Sequence, residues 1–110
     1  MKQFWEDLQK LGYKIHNKRV LSELDHPLKI SKETLETDKC MEFALILKWF
    51  RDKHKIVGRV TVFDIYKDNW IYQYNVFTAK EPEGYIYFKE FNSFEEAELD
   101  LIKELIKIVK

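Results

Sequence analysis

Few side chains in this chain can do covalent or metal chemistry. Cys40 is its only thiol, and its imidazoles are His16, His26 and His54. A thiol nucleophile needs an imidazole within hydrogen-bond reach to take its proton. None of these four residues sits in a local motif that signals such a pair. A cysteine opening an apolar helical run packs as a small hydrophobic residue. Structural zinc takes four ligands, usually in closely spaced pairs, and these four are ten or more residues apart. A phosphate cradle needs a glycine-rich loop, which three scattered glycines do not build. The expectation is a non-enzymatic protein with no metal and no cofactor.

Two charged clusters remain. Glu95, Glu96, Glu98 and Asp100 fall in the first two turns of a predicted helix. Carboxylates there complement the macrodipole, so the pattern reads as a solvated face rather than an acid–base pair. Lys48, Arg51, Lys53, His54, Lys55 and Arg59 surround a single acid, Asp52. Cations at a helix C-terminus are again dipole-complementary. Next to a sheet carrying Trp70, Tyr72, Tyr74, Tyr85 and Tyr87, they also outline a single-stranded RNA surface, with bases stacked on rings and backbone held by cations.

The aromatic strands hold the best sign of binding. Trp70, Tyr72, Tyr74 and Val76 share one strand face, and Tyr85 and Tyr87 share a face of the next strand. Helices cover one face of such a sheet. Tyrosines on the open face make a rigid, amphipathic contact surface of the kind interfaces enrich. Tyrosine is equally an ordinary strand former, and both readings stand at this point.

The elements that position these residues follow from periodicity. Phe4 to Leu11 reads as a short helix, with Gly12 where a helix ends. Tyr13 to Leu24 is ambiguous: Tyr13-Lys14-Ile15 fits a short strand, and Val20-Leu21 with Leu24 fits a helical turn. Asp25-His26-Pro27 reads as a turn, and Ser31 to Lys39 as a loop or irregular helix start. Cys40 to His54 is a helix whose wide apolar arc predicts that it is largely enclosed. Strands follow at Val60–Ile65, Trp70–Phe77 and Tyr85–Phe91, joined by turns at Lys67-Asp68-Asn69 and Lys80–Gly84. Ser93 to Glu96 forms a capping box for a helix running Phe94 to Val109. That helix carries two apolar stripes, Ala97/Leu101/Leu105/Ile108 and Leu99/Ile102/Ile106/Val109. One sheet face needs less than both, so the second stripe must meet another helix, such as the N-terminal segment, or a second copy in a homodimer through this helix. The predicted fold is α+β: a three-stranded antiparallel meander packed on one face by two main helices, plus a short N-terminal helix. Residues 1–110 read as one domain, with 1–39 a variable segment and 40–110 a helix–meander–helix core.

Nineteen cations balance nineteen acids, which disfavours general duplex binding, a process driven by basic excess. The charge is mildly polarised. Residues 1–55 carry twelve basic and nine acidic groups, and residues 56–110 carry seven and ten. One cysteine, no leader-like N-terminus and no long apolar run predict a cytoplasmic protein that does not cross a membrane.

Three stretches resemble small uncharacterised proteins encoded by bacteriophages and prophages. They are Lys48-Trp49-Phe50-Arg51-Asp52-Lys53-His54-Lys55-Ile56, the Trp70-x-Tyr72 strand opening, and Ser93-Phe94-Glu95-Glu96-Ala97-Glu98 with its apolar helix end. The resemblance covers residues 40–110. It implies a helix, a meander and a closing helix in a phage or mobile-element setting. Small proteins of that setting often bind and block host enzymes, anti-CRISPR proteins among them. The resulting expectation is an inhibitor of a host protein, such as a CRISPR nuclease or its RNA complex, in the bacterial cytoplasm. The alternative is a small RNA-binding protein using the basic helix end and sheet tyrosines.

Overall fold

The computed structural model describes residues 2–17, 32–66 and 69–110. Its elements, in chain order, are α1 (Lys2–Lys10), α2 (Lys32–His54), β1 (Val57–Tyr66), β2 (Asn69–Phe77), β3 (Tyr85–Phe91) and α3 (Phe94–Val109). The fold is α+β, with an antiparallel sheet of order β1-β2-β3. The turns expected at Val20–Leu24, Asp25-His26-Pro27 and Lys67-Asp68 lie outside the described residues.

Local chemistry sets the helix ends. Gly12 sits at φ 103°, its N–H donates to Gln9 O at 3.0 Å, and Tyr13 N–H donates to Leu8 O at 3.1 Å. This is the double bonding of a Schellman end, and its two apolar partners, Leu8 and Tyr13, are both buried. At α3, Ser93 Oγ accepts from Glu96 N–H at 3.2 Å, as the capping box predicts. Tyr13–Asn17 has no regular secondary structure, so the short strand expected at Tyr13-Lys14-Ile15 does not form.

α2 departs from expectation twice. It begins at Lys32 rather than near Cys40. The polar run 32–39 holds no glycine or proline, and its two Lys, two Glu and one Leu favour helix enough to extend it without an apolar stripe. Nor is the helix enclosed. Met41 is 64% exposed, Leu45 41%, and Ala44 is also exposed. Phe43, Ile46 and Phe50 face the core, with Leu47 and Trp49 packed against its edge.

α3 lies across all three strands, α2 packs beside it and against β1, and α1 packs on α3. Gly58 allows a close approach: a Cβ there would sit 2.8 Å from Leu101 Cδ1. The second stripe of α3 finds its cover within the chain. Ile102 and Ile106 are buried in one cluster with Phe4, Trp5, Leu8 and Phe43. Phe4 and Trp5 rings stand 5.8 and 5.9 Å from the Phe43 ring, which locks α1 onto α2. The apolar surface that pointed to a homodimer through this helix is therefore used internally. No described helix is long and apolar enough to cross a membrane.

Candidate functional site

The strand face that carries Trp70, Tyr72 and Tyr74 is in large part the covered one. Val60, Tyr74, Val76 and Phe91 pack into the core, with Tyr74 fully buried. Tyr74 can be buried because its hydroxyl donates to Asp100 Oδ2 at 2.7 Å, satisfying the polar end of the ring. Tyr74 thus leaves the set of contact residues. Tyr85 and Tyr87 pair through their backbones with Val76 and Tyr74, and their side chains lie outside the described residues.

The same face becomes an exposed surface at the far end of the hairpin. α3 starts beside Tyr72, whose ring stands 6.0 Å from that of Phe94. From there α3 runs along β2, reaching Tyr74 through Asp100 and the Gly58–Val76 level through Leu101. The β1–β2 hairpin beyond Tyr72 therefore projects past the start of α3. On this overhang, Val62 pairs in register with Tyr72, and Trp70 is next but one along the strand. Val62 is 50% exposed, Trp70 52% and Phe94 43%, with Tyr72 half-buried between them. Val62, Tyr72 and Trp70 share this strand face and Phe94 stands beside Tyr72, so the four make an apolar ledge with a tryptophan at its edge.

The basic cluster lies elsewhere. Lys48, Arg51, Lys53 and Lys55 are exposed at the end of α2, and Arg59 is exposed on the opposite sheet face from Val60. Asp52 accepts from Lys48 Nζ at 2.7 Å and lies 3.9 Å from Arg51. The Lys48 bond is the main reason its carboxyl is held below the usual range. Lys55 adopts a left-handed backbone (φ 57°), letting Ile56 N–H reach Phe50 O at 3.3 Å. The cluster adjoins the Val57 end of β1, whereas Trp70 pairs with Ile65. Eight residue steps of about 3.3 Å put roughly 26 Å between the two ends. The cations at the end of α2 therefore lie far along β1 from Trp70.

The run around Trp49 has a packing explanation. Trp49 meets Phe50, His54 and Tyr13 with ring centroids 5.0, 4.8 and 5.5 Å apart, closing the end of α2. Its aromatic members line the core and its cations face outward.

Sequence reading missed Glu42, whose side chain is fully buried. Four donors converge on it. His16 N–H and Asn17 N–H donate to Oε1 at 2.9 and 2.7 Å, and the Tyr13 hydroxyl donates to Oε2. His16 Nδ1 stands 3.2 Å from both Oε2 and the Tyr13 oxygen. With the Tyr13 proton directed at Glu42, the imidazole serves both oxygens as an Nδ1–H donor. Burial, reinforced by the Glu42 carboxylate, pushes the Tyr13 phenol above its ordinary range. The signal was present in the spacing: Glu42 precedes Ile46 by four and Trp49 by seven, which places an acid on the apolar arc. The cluster ties the exit of α1 to α2, while the His16 ring stays largely exposed.

The remaining candidates are dispersed. Cys40 is half-buried on α2, His54 packs on Trp49, and His26 lies outside the described residues. Among the described residues, no group of three His, Cys, Asp or Glu side chains is placed to hold a metal ion. Glu95 and Glu96 are solvated as expected, but Asp100 accepts from Tyr74 and Lys89, and Glu98 is buried. Burial, with repulsion from Glu95 added, pushes the Glu98 carboxyl up to about 7.

Fold and surface define a small two-layer α+β protein with an aromatic ledge at one end. No family model matches the chain, and comparisons with curated proteins and with solved structures gave no match.

Proposed function

We propose that this protein is a non-enzymatic binding module of phage or prophage origin that docks on a host protein in the bacterial cytoplasm. By docking it occludes a defence nuclease of the CRISPR type. The observation that carries the reading is the ledge of Val62, Trp70, Tyr72 and Phe94, exposed beyond the start of α3. Interfaces draw most of their binding energy from a few large anchors, with tryptophan and tyrosine prominent among them. The sequence resemblance over residues 40–110 supports the phage setting.

The test is a tagged pull-down from bacterial lysate, with and without nuclease treatment, run beside a phage-interference assay. A host nuclease retained by the wild type, lost on Trp70→Ala, together with reduced interference, supports the reading. Unchanged immunity and no retained protein sink it. Nucleic acid in the eluate, lost on Arg51→Ala with Lys55→Ala, moves the function to RNA binding through the end of α2.

A further inference from the structure

The charges around the ledge are lopsided. Phe94 opens α3, and the next two residues, Glu95 and Glu96, are both exposed. On β3, Lys89 shares the covered sheet face with Phe91, which pairs with Tyr72, while Glu90 between them belongs to the opposite face. The nearby cation Lys89 is already engaged, with Nζ 3.3 Å from Asp100 Oδ2. The next cation along α3 is Lys103, more than two turns further on. Among the described residues, then, the flank of the ledge at Phe94 presents two carboxylates, Glu95 and Glu96, and one lysine already paired with Asp100. The α3 dipole offsets part of this charge, but only within its first turn.

A partner that covers Trp70 and Phe94 also brings its own rim against these carboxylates. An acidic rim, or a phosphate backbone, meets like charge there, which is costly at a contact. A basic rim is matched and is steered in faster. We infer that the ledge takes a basic segment of a partner protein, one that sets apolar side chains over Trp70, Tyr72 and Phe94 and lysine or arginine against Glu95 and Glu96. This inference rests on the binding-module reading and adds the chemistry of the partner to it.

The probe is a short fluorescein-labelled peptide alternating leucine with lysine, and its control alternates leucine with glutamate. Binding to the full chain is followed by anisotropy at low and high salt, and by the Trp70 indole N–H signal in NMR. The expected result is saturable binding of the lysine peptide that shifts the Trp70 signal and weakens with salt. Trp70→Ala, and separately Glu95→Lys with Glu96→Lys, each reduce affinity about tenfold. Should charge reversal at the start of α3 disturb folding, Glu95→Gln with Glu96→Gln gives the same readout with smaller amplitude.

Equal binding of the glutamate peptide overturns the inference and leaves the ledge as a charge-indifferent apolar site. So does an affinity that drops on Trp70→Ala but ignores the charge variants. Self-association of the wild type that is abolished by Trp70→Ala also overturns it, because the occupant is then a second copy. If neither peptide moves the Trp70 signal, both the inference and the ledge reading fail together.

Discussion

The Tyr13 hydroxyl donates to the buried Glu42 carboxylate across 29 residues of sequence. Two backbone N–H groups, from His16 and Asn17, share the same carboxylate. Removing the acceptor strands all these donors at once, and an unmade buried bond costs more than a made one contributes. Glu42→Ala is therefore expected to destabilise by about 3 kcal/mol, and Tyr13→Phe by about 1–2 kcal/mol. Urea unfolding of both variants and the double mutant measures their coupling. A double mutant equal to the sum of the singles shows that the two side chains act independently.

The same pair sets an alkaline limit. An acid whose folded value is raised keeps its proton longer in the folded state. Its contribution is thus complete below the unfolded phenol value of 10.0 and is lost as pH rises above it. Wild type should lose stability in strong alkali more steeply than Tyr13→Phe. Parallel curves of melting temperature against pH exclude the effect.

Glu98 gives the counterpart near neutrality. Its carboxyl is raised from 4.5 to about 7 by burial first and Glu95 second. The folded state therefore holds a proton that the unfolded chain releases, and stability falls as pH rises from about 4.5 to 7, then levels off. Glu98→Gln keeps the shape and removes the ionisation. It should be more stable than wild type at pH 8 by about 2 kcal/mol and nearly equal at pH 4. Denaturant midpoints at the two pH values provide the check.

Gly58 faces Leu101 where β1 passes beneath α3, and a Cβ there would lie 2.8 Å from Leu101 Cδ1. Overpacking of this kind costs about 1–3 kcal/mol. Gly58→Ala should fall in that range, and adding Leu101→Val should recover part of the loss by withdrawing the clashing methyl. A Gly58→Ala variant as stable as wild type contradicts the close approach.

Trp70 and Tyr74 lie four residues apart on one strand and should behave oppositely. Trp70 is 52% exposed and Tyr74 is fully buried. Trp70→Ala should change stability by less than about 1 kcal/mol while abolishing partner capture. Tyr74→Ala should cost about 3–5 kcal/mol, and Tyr74→Phe about 1 kcal/mol through loss of the Asp100 bond. Thermal melts read beside capture assays separate the two roles.

The sequence by itself determined the elements whose signals are local. Period-two apolar runs gave the three strands, Ser93 opened α3, and Gly12 ended α1, because each of these depends on neighbours within a turn or a ladder. The α2 boundary was harder, since the polar run after Lys32 forms helix by propensity and carries no apolar period. What only the tertiary structure decided were the relations between elements. Strand alternation puts Trp70, Tyr72 and Tyr74 on one face, but it cannot say where along that face a helix begins. The position of α3 buries Tyr74 on Asp100 and leaves Trp70 uncovered past Phe94. Likewise, helical spacing puts Glu42 on the apolar arc of α2 but does not supply its partners. Its role exists only because Tyr13, His16 and Asn17, twenty-five or more residues away, bring their donors to it. A buried charge is tolerated only where such donors converge, and convergence is a property of the packed chain.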